Sequence, residues 1–133
     1  MHPRFNKASG LTENIIGAAI EVHRDKGPGL IESIYEWCLT KELESRGLAF
    51  TNQASVPIEY KGHIREEPLR FDLLVEGCVL VEVKAVDQVL PIHKAQLLSY
   101  MKLLNIPVGL LINVHETKLI NGLSRLILPG ANR

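Results

Sequence analysis

The run from Arg70 to Val86, Arg-Phe-Asp-Leu-Leu-Val-Glu-Gly-Cys-Val-Leu-Val-Glu-Val-Lys-Ala-Val, limits what this chain can fold into more than any other stretch. Residues this apolar form strands at the centre of a sheet, and Gly77 marks a tight turn between two of them. Side chains alternate between the faces of a strand. Phe71, Leu73 and Val75 therefore share one face of the first strand, and Asp72 and Leu74 the other. On the second strand Val79, Val81 and Val83 share one face, and Leu80, Glu82 and Lys84 the other.

Turn length decides how the faces meet. A two-residue turn would set Asp72 opposite Val81 and mix charged with apolar positions. A three-residue loop, Glu76-Gly77-Cys78, uses the positive φ open to glycine. It pairs Val75 with Val79, Leu73 with Val81 and Phe71 with Val83. One face is then wholly apolar, and on the other Asp72 stands opposite Glu82. This register is the expected one.

Directly opposed residues have Cβ atoms roughly 4.5–5.5 Å apart, and like charges there repel. Away from water such carboxylates raise one another's pKa unless a positive charge lies between them. A hard divalent cation with oxygen ligands meets that need, and Mg²⁺ takes one or two carboxylates plus substrate phosphates. Lys84 projects from the face that carries Glu82. Two acids, a lysine and a metal suit attack of water on a phosphodiester. Alternating charges also suit a solvated sheet face, but the surrounding Val-Leu-Val-Glu-Val-Lys-Ala-Val reads as buried, and a buried carboxylate needs a partner.

At 133 residues the chain suits one domain. Its 15 basic and 15 acidic side chains cancel, which disfavours a stand-alone, high-affinity nucleic-acid binder but leaves room for an enzyme that touches phosphates locally. Cys38 and Cys78 lie far apart, as reduced thiols of a cytoplasmic protein would. The histidines form no pair with zinc-ligand spacing. No signal peptide and no membrane-spanning apolar run is present.

The remaining elements follow from periodicity and breakers. Residues 1–10 read as a polar, flexible segment ahead of a domain over 11–128. Thr12 is expected to cap a helix that runs to about Asp25 and ends at Gly27-Pro28-Gly29. A second helix spans about Leu30 to Arg46, with Ile31, Ile34, Cys38 and Trp37 as its buried stripe and Glu32 and Glu36 one turn apart. Residues 48–54 connect to an edge strand over Val56–Tyr60, where Pro57 fits. Lys61-Gly62 is a turn, and His63–Glu67 a solvated hairpin or loop. After the central hairpin, a helix over about Ile92 to Leu104 buries Leu97, Leu98, Met101 and Leu104. It aligns Gln96 with Tyr100. The strand Pro107–Val114 completes a strand–helix–strand crossover and so lies parallel to a hairpin strand. A last strand covers Leu123 to Leu128. The fold class is α/β: a mixed β-sheet flanked by helices.

Asp72, then Glu82-Val83-Lys84 on the next strand, then a helix, resembles the PD-(D/E)xK nuclease superfamily. Gln96-Leu97-Leu98-Ser99-Tyr100 is similar to the Gln-x-x-x-Tyr motif of RecB-like members. Gly29-Leu30-Ile31-Glu32-Ser33-Ile34-Tyr35 matches the Gly-x-x-Glu-x-x-Tyr signature of the bacterial and archaeal GxxExxY proteins. The resemblance runs from about Leu11 to Leu128 and implies a restriction-endonuclease-like core. It implies that Asp72 and Glu82, with the Val83 carbonyl, ligate Mg²⁺ or Mn²⁺, that Lys84 is the catalytic lysine, and that Glu32 projects toward the metal. Gln96 and Tyr100 would contact the substrate backbone or orient the lysine strand. The implied activity is a metal-dependent nuclease acting on nucleic acid, DNA foremost. Two other readings stand beside it: a catalytically silent module binding nucleic acid or a protein partner, and a homodimerising subunit.

Overall fold

The computed structural model describes all residues, Met1–Arg133. Its chain order is α1 (Phe5–Lys26), α2 (Glu32–Ser45), β1 (Phe50–Tyr60), β2 (His63–Val75), β3 (Val79–Lys84), α3 (Pro91–Leu104), β4 (Val108–Asn113), a 3₁₀ turn (Leu119–Gly122) and β5 (Leu123–Ile127). The sheet order is β1-β2-β3-β4-β5. All neighbours are antiparallel except β3 and β4, which are parallel because α3 carries the chain back across the sheet between them. The expected mixed α/β architecture is the one observed.

The central hairpin takes the three-residue register. Val75 pairs with Val79, Leu74 with Leu80 and Leu73 with Val81. The loop turns through left-handed Glu76 (φ 52°) and Gly77 (φ 68°). The ladder then stops, and the expected Phe71–Val83 pair and the direct Asp72–Glu82 opposition do not form. The reason lies on the other side of β2. There Thr51 pairs with Leu74 but Gln53 pairs with Arg70, so Asn52 alone faces Phe71, Asp72 and Leu73. This bulge changes which way successive side chains point. Leu73 and Val75 pack under α1 and α2 with Val79, Val81 and Val83. Phe71 packs on the opposite face with Leu74, Leu80, Leu97 and Met101.

Helices cover both faces of the sheet. On one, Ile15, Ala19, Tyr35, Leu39 and Leu43 from α1 and α2 meet β3 and β4. On the other, Leu97 and Met101 of α3 sit on Leu80 and Leu111. Gly109 of β4 lets α3 come this close, since a Cβ there would stand 2.6 Å from Met101 Sδ.

Three sequence expectations are corrected. The first helix begins at Phe5, not at Thr12, whose buried hydroxyl donates back to Ser9 O within the helix. Ahead of it, the His2 N–H donates to Ala131 O, and Arg4 donates to the carbonyls of Gly77 and Asn105. On α2 the buried stripe is Tyr35, Leu39 and Leu43, while Ile31, Ile34 and Trp37 are 65%, 44% and 61% exposed. Tyr35 decides the helix's rotation, because its hydroxyl donates to Ala19 O at 2.6 Å while its ring is fully buried. Finally, β1 already begins at Phe50, inside the expected connector, while His63–Glu67 takes the solvated-hairpin alternative, paired to β1 across Lys61-Gly62.

Candidate active site

Where β2 parts from β3, a cleft of about 380 Å³ opens between the strand ends and α3. Asp72 enters it from the bulge. Glu82 and Lys84 enter from the last residues of β3, on alternate positions and hence one face. Gln96 and Tyr100 enter from α3, one turn apart, and Arg70 and Phe71 complete the lining. Five of the residues expected from sequence therefore share this one cleft.

Hydrogen bonds fix the two strands of the site. Val83 N–H donates to Asp72 Oδ2 at 2.6 Å, so the carboxylate replaces the ladder carbonyl that the bulge removes. Lys84 Nζ lies 3.5 Å from Glu82 Oε2, with both side chains largely shielded from solvent. Val114 N–H donates to Lys84 O at 2.8 Å. Buried Asn113 then holds the chain just after the lysine, donating to Val86 O at 2.8 Å and accepting from Val86 N–H at 3.2 Å.

Glu32 is the first residue of α2 and is not among the residues that line the cleft. It is nevertheless close enough to be coupled to it. Burial chiefly, and then the Asp72 charge, push its carboxyl above the usual carboxylate range, while Lys84 pulls it down. The Gly-x-x-Glu-x-x-Tyr stretch has a local logic here. Gly29 takes a left-handed turn (φ 83°), Glu32 opens the helix, and Tyr35 anchors it to α1.

Burial is also the first cause of the raised pKa of Asp72, against which the Val83 N–H and Lys84 act. Glu82 is raised by burial, then by Asp72, and lowered by Lys84. Glu36, one turn along α2 from Glu32, is pushed up to about 7 by burial and then by Asp72, Glu32 and Glu82. The site thus carries negative charge that its own cations do not fully offset.

No three His, Cys, Asp or Glu side chains come together as a ready ligand set. The cleft offers a pair of carboxylates, each with one oxygen beyond its hydrogen-bond or ion-pair contact. Such hard donors, in a place of excess negative potential, fit a divalent cation that retains much of its water, as Mg²⁺ does. Val83, whose carbonyl the resemblance implies as a third donor, is not among the residues that line the cleft.

The sequence model of the PD-(D/E)XK nuclease superfamily matches residues 9–126. The chain belongs to the PD-(D/E)XK nuclease superfamily. Its mixed sheet and flanking helices are consistent with the restriction-endonuclease-like fold of that superfamily. PD-(D/E)XK nucleases generally use divalent metals such as Mg²⁺. The comparison with curated proteins finds no match. Among solved structures, "Crystal structure of SSO0001" is similar at 17% identity with a TM-score of 0.60, over 92% of this chain and 62% of that one. That likeness concerns the fold alone, and this chain spans less than two-thirds of the other's length.

Arg70 lines the cleft and Glu36 is coupled to its acids, and neither belongs to a motif in the sequence. Arg70 carries no pattern in the sequence beyond flanking a strand. Glu36 was visible as the acid one turn from Glu32, but its approach to Asp72 depends on how Tyr35 rotates α2.

Proposed function

We propose that this protein is a cytoplasmic, metal-dependent nuclease of the GxxExxY branch, hydrolysing phosphodiester bonds in nucleic acid and DNA in particular. The observation that carries the proposal is the meeting of Asp72, Glu82, Lys84, Gln96 and Tyr100 in one cleft, in a chain that belongs to a nuclease superfamily.

Asp72 and Glu82, with the Val83 carbonyl, would hold Mg²⁺ or Mn²⁺, which supplies a Lewis acid for the phosphate and lowers the pKa of water. Lys84 orients the attacking water and offsets charge that grows on the phosphate oxygens. Its tie to Glu82 keeps the ammonium at the acids rather than in solvent. Gln96 and Tyr100 offer an amide and a hydroxyl from a rigid helix face to the substrate backbone. Glu32 adds negative potential from the α2 side and accepts hydrogen bonds from water there.

The test is cleavage of a panel of labelled DNA and RNA, single- and double-stranded, with Mg²⁺, Mn²⁺ or EDTA, by wild type beside Lys84→Ala. Metal-dependent cutting that Lys84→Ala loses supports the reading. Binding without cutting would instead indicate a silent module, and equal cutting by both proteins would exclude this cleft as the site.

A further inference from the structure

The phosphodiester that this cleft would take brings negative charge into a place that already holds two carboxylates. Besides the divalent cation that the acids would hold, the lining has two cationic side chains that could meet it. Lys84 is engaged with Glu82 at 3.5 Å. Arg70 is engaged with nothing: it makes no side-chain hydrogen bond and no ion pair, although Asp72 is two residues away and Glu82 lines the same cleft.

Of the seven arginines of this chain, only Arg133 shares that freedom. Arg4 donates to the carbonyls of Gly77 and Asn105, and Arg24 pairs with Glu21. Arg46 pairs with Glu42, Arg65 with Glu67, and Arg125 donates to Ser9. The backbone of Arg70, by contrast with its side chain, is held firmly. It pairs with Gln53 as the last rung of the β1–β2 ladder before the bulge that delivers Asp72. A fixed backbone with an unspent guanidinium at the mouth of the cleft is the arrangement of a ligand-binding arginine. Planar guanidinium matches the paired oxygens of a phosphate group better than a lysine ammonium does.

We infer that Arg70 is the residue of this cleft that clamps a backbone phosphate of the nucleic-acid substrate. The inference rests on the nuclease reading above and adds a binding residue to it. Arg70 acts on substrate held beside the acids, so its removal weakens binding without touching the groups that would hold the cation.

The experiment separates binding from cutting. Binding of a labelled mixed-sequence DNA duplex is followed by fluorescence anisotropy in EDTA across a sodium chloride series, for wild type, Arg70→Ala and Arg70→Lys. Cleavage of the same duplex in Mg²⁺ is followed in parallel, with Lys84→Ala included. Each phosphate contact contributes a slope of about −0.9 to log K against log salt. Arg70→Ala should therefore flatten the slope by about 0.9 and bind roughly tenfold more weakly. Arg70→Lys should keep the slope while losing part of the affinity. A purely structural role would leave the slope unchanged. Slope and affinity unaltered in Arg70→Ala, with cleavage still abolished by Lys84→Ala, would overturn the clamp and leave the nuclease reading intact. An Arg70-dependent slope without metal-dependent cleavage would do the reverse.

Discussion

The Asp72 carboxylate accepts the backbone N–H of Val83 at 2.6 Å. This bond joins β2 to β3 at the point where their ladder ends, so one side chain serves the sheet and the cleft at once. Asp72→Ala leaves the Val83 N–H without its partner and should cost about 1–3 kcal/mol of stability. Asp72→Asn keeps an acceptor oxygen and sheds a charge that burial disfavours, so its stability should lie within about 1 kcal/mol of wild type. Both variants should lose metal-dependent cleavage. Urea unfolding beside a cleavage assay separates the two roles.

The acids also set a pH dependence. Glu36 is pushed up to about 7, and Glu32, Asp72 and Glu82 are raised as well. A carboxyl whose pKa is higher folded than unfolded binds more protons in the folded state, so its contribution is full below the unfolded value and lost as pH rises through the folded one. Metal-free protein should therefore lose stability between about pH 4.5 and about pH 7. Glu36→Gln should flatten that fall in urea unfolding followed pH by pH. Stabilisation by Mg²⁺ should run the other way and grow with pH, because cation and proton compete for the same oxygens.

Tyr35 ties α2 to α1 through Ala19 O at 2.6 Å. Tyr35→Phe should cost about 0.5–1.5 kcal/mol, the net worth of one hydrogen bond. Tyr35→Ala should cost about 3–5 kcal/mol through the cavity that it leaves. Guanidinium denaturation measures both, and equal costs would show that burial of the ring adds nothing to the hydrogen bond.

Asn113 is the clamp behind Lys84. Its side chain both donates to and accepts from Val86, and it accepts from His115 N–H at 3.3 Å. Asn113→Ala should cost about 1–3 kcal/mol by orphaning those groups. It should also speed hydrogen exchange at Val86 and His115, read by mass spectrometry or NMR. Unchanged exchange there would mean that the segment is held by other contacts.

The hairpin register was legible because one glycine and one count of apolar positions decide it, and Gly77 takes the positive φ that the argument needs. The pairing of Gln96 with Tyr100 was legible for a similar reason, since helical spacing alone sets it. The bulge at Phe71–Leu73 was not. A period of two has no room for extra residues, so Phe71 was assigned to the face opposite the one it occupies. Nor was the rotation of α2, whose apolar residues nearly encircle the helix. The choice between Ile31, Ile34 and Trp37 on one side and Tyr35, Leu39 and Leu43 on the other is made by a tertiary hydrogen bond that no local pattern encodes. Arg70 left no signal because a lone arginine beside a strand is ordinary until the cleft around it is seen.

The account depends on Asp72 and Glu82 acting as a cation site, and anomalous scattering from crystals soaked in Mn²⁺ tests that most directly. A single peak within coordination distance of both carboxylates and the Val83 carbonyl, about 2.0–2.4 Å from each oxygen, is the predicted result. No peak between the two acids, with manganese bound elsewhere or nowhere, would contradict it.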